Sequence, residues 1–434
     1  MHAAKKLLVV DVAALGWDLV ARAGEKARPF GFRPLEPVFP AVTCAAQASF
    51  RTVAWPRDHG MVGNGLFFRE LRRVMFWEQS AGLVAGARFW QRFRQAGRRV
   101  GMLFWQQSLG EDVDLVLSPR PIHKHHGGMI QDCYSQPPDL YARLVREIGA
   151  PFNLMHYWGP LASARSSDWI AEALARVMNS PDLAPDLLLG YLPHLDYDLQ
   201  RHGPDSPAAA RALDRALGYL TRLRGEAEKA GYDVLFFGDY AIEPVAGPPV
   251  FPNRALREAG LLAVRPVRGR LYPDFFSGGA FALADHQVAH VFIGGGADER
   301  RVETVLRDLD GVAEVMDRGR QYELGLGPAR TGEFALLAEK GRWFAYPWWD
   351  KPREAPDYAG HVDIHNKPGY DPCELFFGWP PGRVSSDPAR IRGTHGRPSV
   401  PAAWAASFPV EPAPGNLLDL ARAVEWRLDR ALEA

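Results

Sequence analysis

The chain has 434 residues, and 51 Lys and Arg balance 51 Asp and Glu, so its formal net charge is +0. That balance excludes a basic protein that wraps nucleic acid and an acidic tail protein, because both need a surface of one sign. Apolar residues make up 47% and charged residues 24%, which is typical of a folded globule and excludes a mainly disordered chain.

The chain starts with two lysines and a short apolar run that Asp11 interrupts. We interpret this run as a buried strand, because no small-residue cleavage site follows it and it is too short for a membrane span. No stretch approaches the roughly 18 uninterrupted apolar residues of a transmembrane helix, so we expect no membrane span. Three widely spaced cysteines, Cys44, Cys133 and Cys373, favour a reducing compartment, and we expect a cytoplasmic protein.

Short apolar runs alternate with helical patterns as far as residue 240. The runs predict strands at 7–12, 101–105, 113–118, 186–193 and 233–239. The helical patterns cover 80–98, 138–149, 166–179 and 207–230. Near-continuous apolar strands separated by helices predict an α/β fold with a mostly parallel central sheet and helices on both faces.

The order of elements changes after about residue 272. AFALADHQVAHVFI, ERRVETVLRDLDGVAEV and GEFALLAEKGRWFAYPW predict a strand, a helix and then strands. We interpret 273–345 as a small α+β cap insertion, with 1–272 and 346–434 forming the core. A helix at 416–433 closes the chain.

Carboxylates stand at the ends of three predicted strands. Asp11 ends the first, Asp196 and Asp198 follow the strand at 186–193, and Asp239 follows the strand at 233–239. In open α/β sheets ligands collect at the carboxyl ends of the strands, and clustered carboxylates repel each other unless a cation lies among them. For Asp11 the alternative is an N-cap of the following helix.

Thr43 opens an Ala-rich helical run after a Pro-rich approach. Thr43 is typical of a helix N-cap. The same position would place its hydroxyl at the positive end of a helix dipole, where phosphate binds and an alkoxide is stabilised, and the two interpretations are compatible. Asn64 lies between two glycines in HGMVGNG, which by itself is typical of a turn with positive φ at Asn and Gly.

In their order and spacing these motifs resemble the alkaline phosphatase superfamily, in particular its nucleotide pyrophosphatase/phosphodiesterase branch, over nearly the whole chain. The resemblance rests on Asp11, PAVTCAAQASF with Thr43, HGMVGNG with Asn64, the Asp196 segment ending in GP, Asp239, and THGRP with His395. It implies an alkaline phosphatase-like fold in which Thr43 is the nucleophile of a covalent intermediate and Asn64 holds a phosphate oxygen.

The same resemblance implies two divalent cations, Zn²⁺ or Mn²⁺ with Mg²⁺ as a further candidate. Asp11 and Asp239, with Thr43, would hold the first cation, and Asp196 and His395 the second. Gln200 and Tyr240 stand where typical members have histidines. Oxygen-rich ligands favour Mn²⁺ or Mg²⁺ over Zn²⁺, or one position is weakened.

Other polar residues are candidates for the missing ligands or for substrate contact: His202, Asp285, His286, His290, His365, Lys367, Asp371, Arg392 and Arg397. The alternatives are a turn at Asp285 and His286, a surface loop around His365, and surface positions for the arginines. His202 would need a bend in an extended segment to point inward. His365 competes with His395, which we favour because THG followed by a strand and the closing helix resembles the usual ending of the family. We expect the adjacent His123, His125 and His126 to be solvated.

We therefore expect a metal-dependent phosphohydrolase that cleaves a phosphodiester or pyrophosphate-type bond through a covalent threonine intermediate. Its partner is a small-molecule phosphate ester and not a nucleic-acid polymer. The 13 Trp and 23 Phe fit a substrate with a flat or apolar group. The alternatives are a phosphomonoesterase or phosphonate hydrolase on the same scaffold, or a degenerate member that binds a phosphate ligand without turnover.

Overall fold

The computed structural model describes residues 6–433. Lys5, the first of the two lysines before the N-terminal apolar run, and the two chain ends of the expected core lie outside the described residues. No helix in the described part of the chain combines the length and the apolar character needed to cross a membrane.

Two β-sheets organise the described chain. Their strands are β1 (Lys6–Val12), β2 (Arg33–Leu35), β3 (Val100–Leu103), β4 (Leu115–Pro119), β5 (Cys133–Gln136), β6 (Leu187–Leu192), β7 (Tyr232–Phe237), β8 (Ala280–Asp285), β9 (Val288–Ile293), β10 (Val312–Met316), β11 (Phe334–Ala338) and β12 (Ala402–Ala406). The helices are α1 (Trp17–Arg22), α2 (Thr43–Thr52), α3 (Pro56–His59), α4 (Gln91–Gln95), α5 (Leu140–Ile148), α6 (Arg165–Asn179), α7 (His194–His202), α8 (Pro207–Lys229), α9 (Pro252–Glu258), α10 (Glu299–Arg307), α11 (Arg318–Glu323) and α12 (Leu417–Glu433).

The central sheet has eight strands in the order β2-β12-β7-β1-β6-β3-β4-β5. The five strands from β7 to β4 run parallel, and β2, β12 and β5 are antiparallel to their neighbours. The predicted mostly parallel sheet is confirmed, and each of the five predicted strands is present within two residues at either end.

Helices cover both faces of this sheet, as predicted. Along β1, Leu8 and Val10 pack into a cluster with Ile170 of α6 and Leu217 of α8, whereas Val9 packs with α2 and α12 on the opposite face. Alternate residues of β1 therefore enter two cores, which explains its near-continuous apolar sequence.

The helical pattern at 80–98 is wrong over most of its length, since only the five residues of α4 and a 3-10 turn at Ala81–Leu83 are helical there. Gly86 and Gly97 in this segment adopt positive φ, which is incompatible with a continuous helix. The helices predicted at 138–149, 166–179 and 207–230 are confirmed as α5, α6 and α8.

The second sheet has the order β8-β9-β11-β10 and is antiparallel throughout. It lies within the predicted α+β segment, and the division into core and cap stays a prediction. AFALADHQVAHVFI is not one strand but the hairpin β8-β9, and the turn expected at Asp285 and His286 is present, with φ 57° at His286.

The segment after β6, interpreted as extended, is instead helix α7. A helix places Asp196 and Gln200 one turn apart on the same face, which an extended chain does not. His202 ends α7 and is exposed, so it supplies no inward ligand.

His194 anchors the start of α7. Its side chain is fully buried, with Nδ1 at 3.0 Å from Ser167 Oγ in α6 and Nε2 at 3.2 Å from the Ala212 carbonyl in α8. Burial lowers the pKa of His194 to about 4. The placement of Asp196 therefore depends on a neutral histidine.

The three cysteines are free and buried. Cys44 lies in a small apolar cluster with Ala48 of α2, Met61 and Val288 of β9, and fills the core there. The cytoplasmic location stays a prediction.

We predict that His194 makes the protein sensitive to acid. Because its pKa is lowered on folding, its contribution to stability is complete above pH 6.5 and is lost as the pH falls towards 4. Between pH 7 and pH 5 this one group should remove about 2 kcal/mol from the free energy of unfolding. His194→Gln should be less stable at pH 7 but should lose less stability on acidification, as measured by urea denaturation at both pH values.

The exposed His202, on the same helix, offers the matched control. His202→Gln should follow the wild-type dependence on pH. Parallel curves for wild type and His194→Gln would show that His194 does not titrate on unfolding.

Candidate active site

Asp11 and Asp239 lie together at the carboxyl edge of the central sheet. Asp11 is the sixth residue of β1 and is level with Tyr191 in β6 and Phe237 in β7, two residues before Asp239. Gln47 Nε2 donates to Asp11 Oδ2 at 2.7 Å. The N-cap alternative for Asp11 is wrong, because Asp11 is within the strand and α1 starts after Gly16 with no side-chain cap.

Asp239 Oδ1 accepts backbone hydrogen bonds from Ala14 at 3.2 Å and Tyr240 at 3.0 Å. The other two oxygens, Asp11 Oδ1 and Asp239 Oδ2, are buried and have no hydrogen-bond partner among the described residues. Burial raises the pKa of Asp11 well above its usual range, and repulsion from Asp239 raises it further. Two buried, unpartnered carboxylate oxygens require a compensating proton or cation.

Thr43 is the first residue of α2 and is buried. Its reading as an N-cap is wrong, because Val42 occupies that position and no side chain caps the helix. Burial raises the pKa of Asp239 to about 7, and the nearby Thr43 hydroxyl opposes that rise. The same hydroxyl opposes the burial-driven rise in the pKa of Tyr191 and Tyr240. The hydroxyl thus lies at the positive end of a helix dipole, beside a carboxyl group and two phenols.

Asn64 connects α2 to the second sheet. Its Oδ1 accepts from the Cys44 backbone N–H at 3.1 Å, while its own N–H and its Nδ2 donate to Asp285 at 2.7 and 3.2 Å. Asp285 is therefore a residue that positions Asn64. Burial raises the pKa of Asp285 to about 6, and the hydrogen bonds from Asn64 oppose that rise.

The expectation of positive φ at Asn64 and its two glycines is wrong, since within this loop only Gly60 has it, at 79°. Gly65 is needed for close packing instead, because a Cβ there would lie 2.3 Å from the Phe76 ring.

Asp196 lies in a chain of hydrogen bonds. Its Oδ1 accepts from the Tyr240 hydroxyl at 3.0 Å and its Oδ2 from Gln200 Nε2 at 2.7 Å. Gln200 Oε1 in turn accepts from the Tyr370 hydroxyl at 3.0 Å. Burial raises the pKa of Asp196 to about 6, against the effect of these two donors.

His395 lies in a stack of aromatic rings beside these hydrogen bonds. Its ring is parallel to that of Tyr240 at 3.6 Å and tilted against His286 at 3.7 Å, and His286 stacks on Tyr370 at 3.9 Å. The Nδ1 of His395 bonds to the Ala41 carbonyl at 2.8 Å. Burial lowers the pKa of His395 to about 3.

Several candidates lie elsewhere. His365 is half-buried, with Nδ1 bonded to the Phe76 carbonyl at 3.0 Å, so the structure brings His395 and not His365 beside Tyr240. His290 bonds to the Val62 carbonyl at 2.9 Å. The histidines expected to be solvated are indeed exposed: His123, His125 and His126.

Arg392 and Arg397 bond to backbone carbonyls of Ala389 and Ala338. The expected surface loop after His365 instead buries Lys367, which pairs with Asp371 at 2.7 Å and Glu374 at 2.6 Å.

Among the described residues, no group of three or more His, Cys, Asp and Glu side chains is arranged to hold a metal ion. The first predicted cation position has the carboxylates of Asp11 and Asp239, and the Thr43 hydroxyl would be its third oxygen ligand. At the second position the donors from Tyr240 and Gln200 already occupy Asp196.

Comparison with known proteins identifies the family. The model of the type I phosphodiesterase/nucleotide pyrophosphatase family matches residues 29–371. The chain belongs to this family. It is thereby a hydrolase that acts on phosphoric ester bonds, and the predicted resemblance to the alkaline phosphatase superfamily is confirmed. No curated protein matches the chain.

Solved structures of low sequence identity share the fold. Phosphonoacetate hydrolase from Sinorhizobium meliloti 1021 in complex with phosphonoformate is 15% identical, with a TM-score of 0.64, over 99% of this chain and 96% of that chain. Murine ectonucleotide pyrophosphatase/phosphodiesterase 5 is 14% identical, with a TM-score of 0.62, over 98% of this chain and 95% of that chain. An inactive variant of the murine protein is in complex with AMP.

Two cavities adjoin in this hydrolase. A pocket of about 80 Å³ is lined by Thr43, Asn64, Asp196, His395 and several aromatic residues. A larger cavity of about 430 Å³ shares Tyr370 and Asp371 with it and has many aromatic walls: Phe251, Trp343, Tyr346, Trp349 and Trp379.

Three residues of the site have no counterpart among the sequence predictions: Gln47, Tyr191 and Tyr370. Gln47 follows Thr43 by one helical turn, so helical spacing could have indicated it. Tyr191 is level with Asp11 only through the strand register, and Tyr370 arrives from a distant loop; neither has a local signal in the sequence.

We predict that Asp285 controls the orientation of Asn64. Asp285→Asn should leave the fold intact but lower kcat/KM for a phosphodiester about tenfold, because one charge-assisted acceptor of the Asn64 amide is lost. Steady-state kinetics would measure this, with the exposed Asp308→Asn as control. Equal kcat/KM in Asp285→Asn and Asp308→Asn would contradict the positioning role.

Proposed function

We propose that Thr43 is the nucleophile of a phosphohydrolase that cleaves a phosphodiester or pyrophosphate-type bond. The observation that carries the proposal is the position of its hydroxyl, at the N-terminus of α2 and beside Asp239. As the bond from Thr43 Oγ to phosphorus forms, the bond from phosphorus to the leaving oxygen breaks, and the hydroxyl proton ends on the departing alcohol or phosphate. Water then attacks phosphorus as the bond to Oγ breaks; its OH stays on the released phosphate product and its other proton returns to Oγ, which restores the threonine.

Asp11 and Asp239 would hold a divalent cation, with the Thr43 hydroxyl as a further ligand. The fit rests on the two buried carboxylate oxygens that have no partner among the described residues. When bound, such a cation would neutralise the pair and favour the ionised hydroxyl. Three oxygen ligands favour Mg²⁺ or Mn²⁺ over Zn²⁺.

Neutral N–H donors hold the phosphate in this proposal. Among the described residues that line the smaller pocket there is no Lys or Arg. The N–H groups at the start of α2, other than that of Cys44, which donates to Asn64, and the second N–H of Asn64 Nδ2 would bind the non-bridging oxygens. This assignment makes Asn64 a residue of the oxyanion site.

The two cavities suggest where each part of the substrate binds. A pocket of about 80 Å³ suits the phosphoryl group, and the adjoining cavity of about 430 Å³ with aromatic walls suits a planar or apolar ester group. The AMP and phosphonoformate bound by the structural neighbours are small molecules of related chemistry.

A phosphonate or phosphomonoester hydrolase is the second candidate, favoured by the likeness to phosphonoacetate hydrolase. The ratio of turnover of bis-p-nitrophenyl phosphate to that of p-nitrophenyl phosphate and phosphonoacetate separates the candidates. Preference for the diester supports our proposal. No turnover of any of them with Mn²⁺, Mg²⁺ or Zn²⁺ would support the non-catalytic alternative.

We predict that Thr43→Ala lowers kcat for the preferred ester by at least about 1,000-fold, because no other hydroxyl takes the nucleophile's place. Thr43→Ser should retain turnover and should form a covalent serine intermediate that carries the phosphoryl group together with the ester group that has not departed, which mass spectrometry of acid-quenched enzyme detects. Thr52→Ala, at the far end of the same helix, is the matched control. A Thr43→Ala variant as active as Thr52→Ala would exclude Thr43 as the nucleophile.

We also predict that Trp379 contributes to binding of the ester group. Its side chain is 86% exposed at the larger cavity, so its removal should not unfold the protein. Trp379→Ala should raise KM for bis-p-nitrophenyl phosphate about fivefold by loss of aromatic stacking, and should change KM for methyl p-nitrophenyl phosphate less. The half-exposed Trp426 on α12 supplies the control, Trp426→Ala. The same change in KM for both esters would argue against a stacking role.

A further inference from the structure

The two predicted cation positions differ in what already surrounds their carboxylates. At the first, Asp11 Oδ1 and Asp239 Oδ2 are buried without partners among the described residues. At the second, both oxygens of Asp196 accept hydrogen bonds, from Tyr240 at 3.0 Å and from Gln200 at 2.7 Å. Only the first position therefore has carboxylate oxygens that still require a proton or a cation.

The amide of Gln200 is held with the wrong atom towards Asp196 for metal binding. Its Oε1, the atom with lone pairs, accepts from the Tyr370 hydroxyl at 3.0 Å. Its Nε2 faces Asp196 and has only N–H groups to offer. To become a ligand, Gln200 would have to turn its amide over and lose both hydrogen bonds.

The ring of His395 is packed on both faces. Tyr240 lies parallel to it at 3.6 Å and His286 lies 3.7 Å away, while Nδ1 bonds to Ala41. His286 also stacks on Tyr370 at 3.9 Å. Rotation of His395 to follow a cation would break these contacts.

Together, these hydrogen bonds and ring contacts form a closed loop. The hydrogen bonds run from Tyr370 through Gln200 and Asp196 to Tyr240, and the stacked rings lead from Tyr240 back to Tyr370. We call this set the closed circuit: Asp196, Gln200, Tyr240, His286, Tyr370 and His395. It supplies two donors to a buried carboxylate, which is the role that a cation has at the first position.

We propose that this chain binds one divalent cation and not two, and that the closed circuit replaces the second cation. The inference rests on the proposed function for the existence of the first cation. It assigns Tyr240 and Gln200 as positioning residues, which hold Asp196 and the ring of His395 beside Thr43.

The test is the number of cations bound, which needs no turnover. The purified full chain is freed of metal with a chelator and titrated with Mn²⁺ in a calorimeter, and the loaded protein is analysed for metal content. We expect one equivalent in wild type and in Asp196→Asn, and none in the double variant Asp11→Asn with Asp239→Asn.

Restoring nitrogen ligands gives the sharper result. The double variant Gln200→His with Tyr240→His should bind two equivalents, because both new imidazoles offer a lone pair towards Asp196. A double variant of exposed residues, Gln95→His with Tyr322→His, adds the same number of imidazoles far from the site and should still bind one.

Stabilisation by Mn²⁺ keeps the test decisive if the histidine variant does not fold. Wild type and Asp196→Asn should gain the same increase in Tm from Mn²⁺, since neither uses Asp196 as a ligand. Two equivalents in wild type, or loss of the bound cation in Asp196→Asn, would overturn the inference. A folded Gln200→His/Tyr240→His variant that binds one would also overturn it.

These outcomes are distinct from failure of the proposed function. A protein with one cation and no turnover of any ester would refute the hydrolase assignment of Thr43 and keep the closed circuit. A protein with two cations and full turnover would do the reverse.

Discussion

The burial of Asp11 and Asp239 is the constraint on which the rest of the site depends. The strand register brings both carboxylates to one sheet edge, where no solvent reaches them. Gln47, Ala14 and the Tyr240 backbone satisfy one oxygen of each and leave the other without a partner among the described residues. Leaving buried carboxylates in this state costs free energy, which a proton or, in our proposal, a cation beside Thr43 would offset.

The second sheet reaches the site by one hairpin turn. Asp285 at the end of β8 holds Asn64, and His286, the next residue, packs on His395. A shift of this turn would move both contacts, so the segment between β7 and β12 is linked to helix α2 through Asn64 and Cys44. A change in this turn should therefore alter phosphate binding, although it adds no group that contacts phosphorus.

The sequence predicts the elements and site residues that a local pattern determines. It does not predict those that depend on contacts between distant segments. β1 and β7 are predicted because burial on both faces leaves a continuous apolar run, and Asp11 and Asp239 follow from those strand ends. α7 is missed because Pro193 and alternating polar residues hide a helix that His194 anchors to Ser167 and Ala212. Tyr370 is missed because its partner Gln200 lies 170 positions away in the chain, and no local pattern records such a distance.

Charge balance explains how a neutral protein can bind a phosphate ester. The smaller pocket is lined by Asp196, Asp371 and Glu374, and the nearby buried Lys367 is paired with the last two. None of the described lining residues is Lys or Arg, so in our proposal the positive potential comes from the N-terminus of α2 and from a cation held by Asp11 and Asp239. Because hydrogen bonds already satisfy Asp196, a single cation is enough to balance the carboxylates nearest Thr43. A second would add positive charge where the structure has no unpaired carboxylate oxygen to receive it.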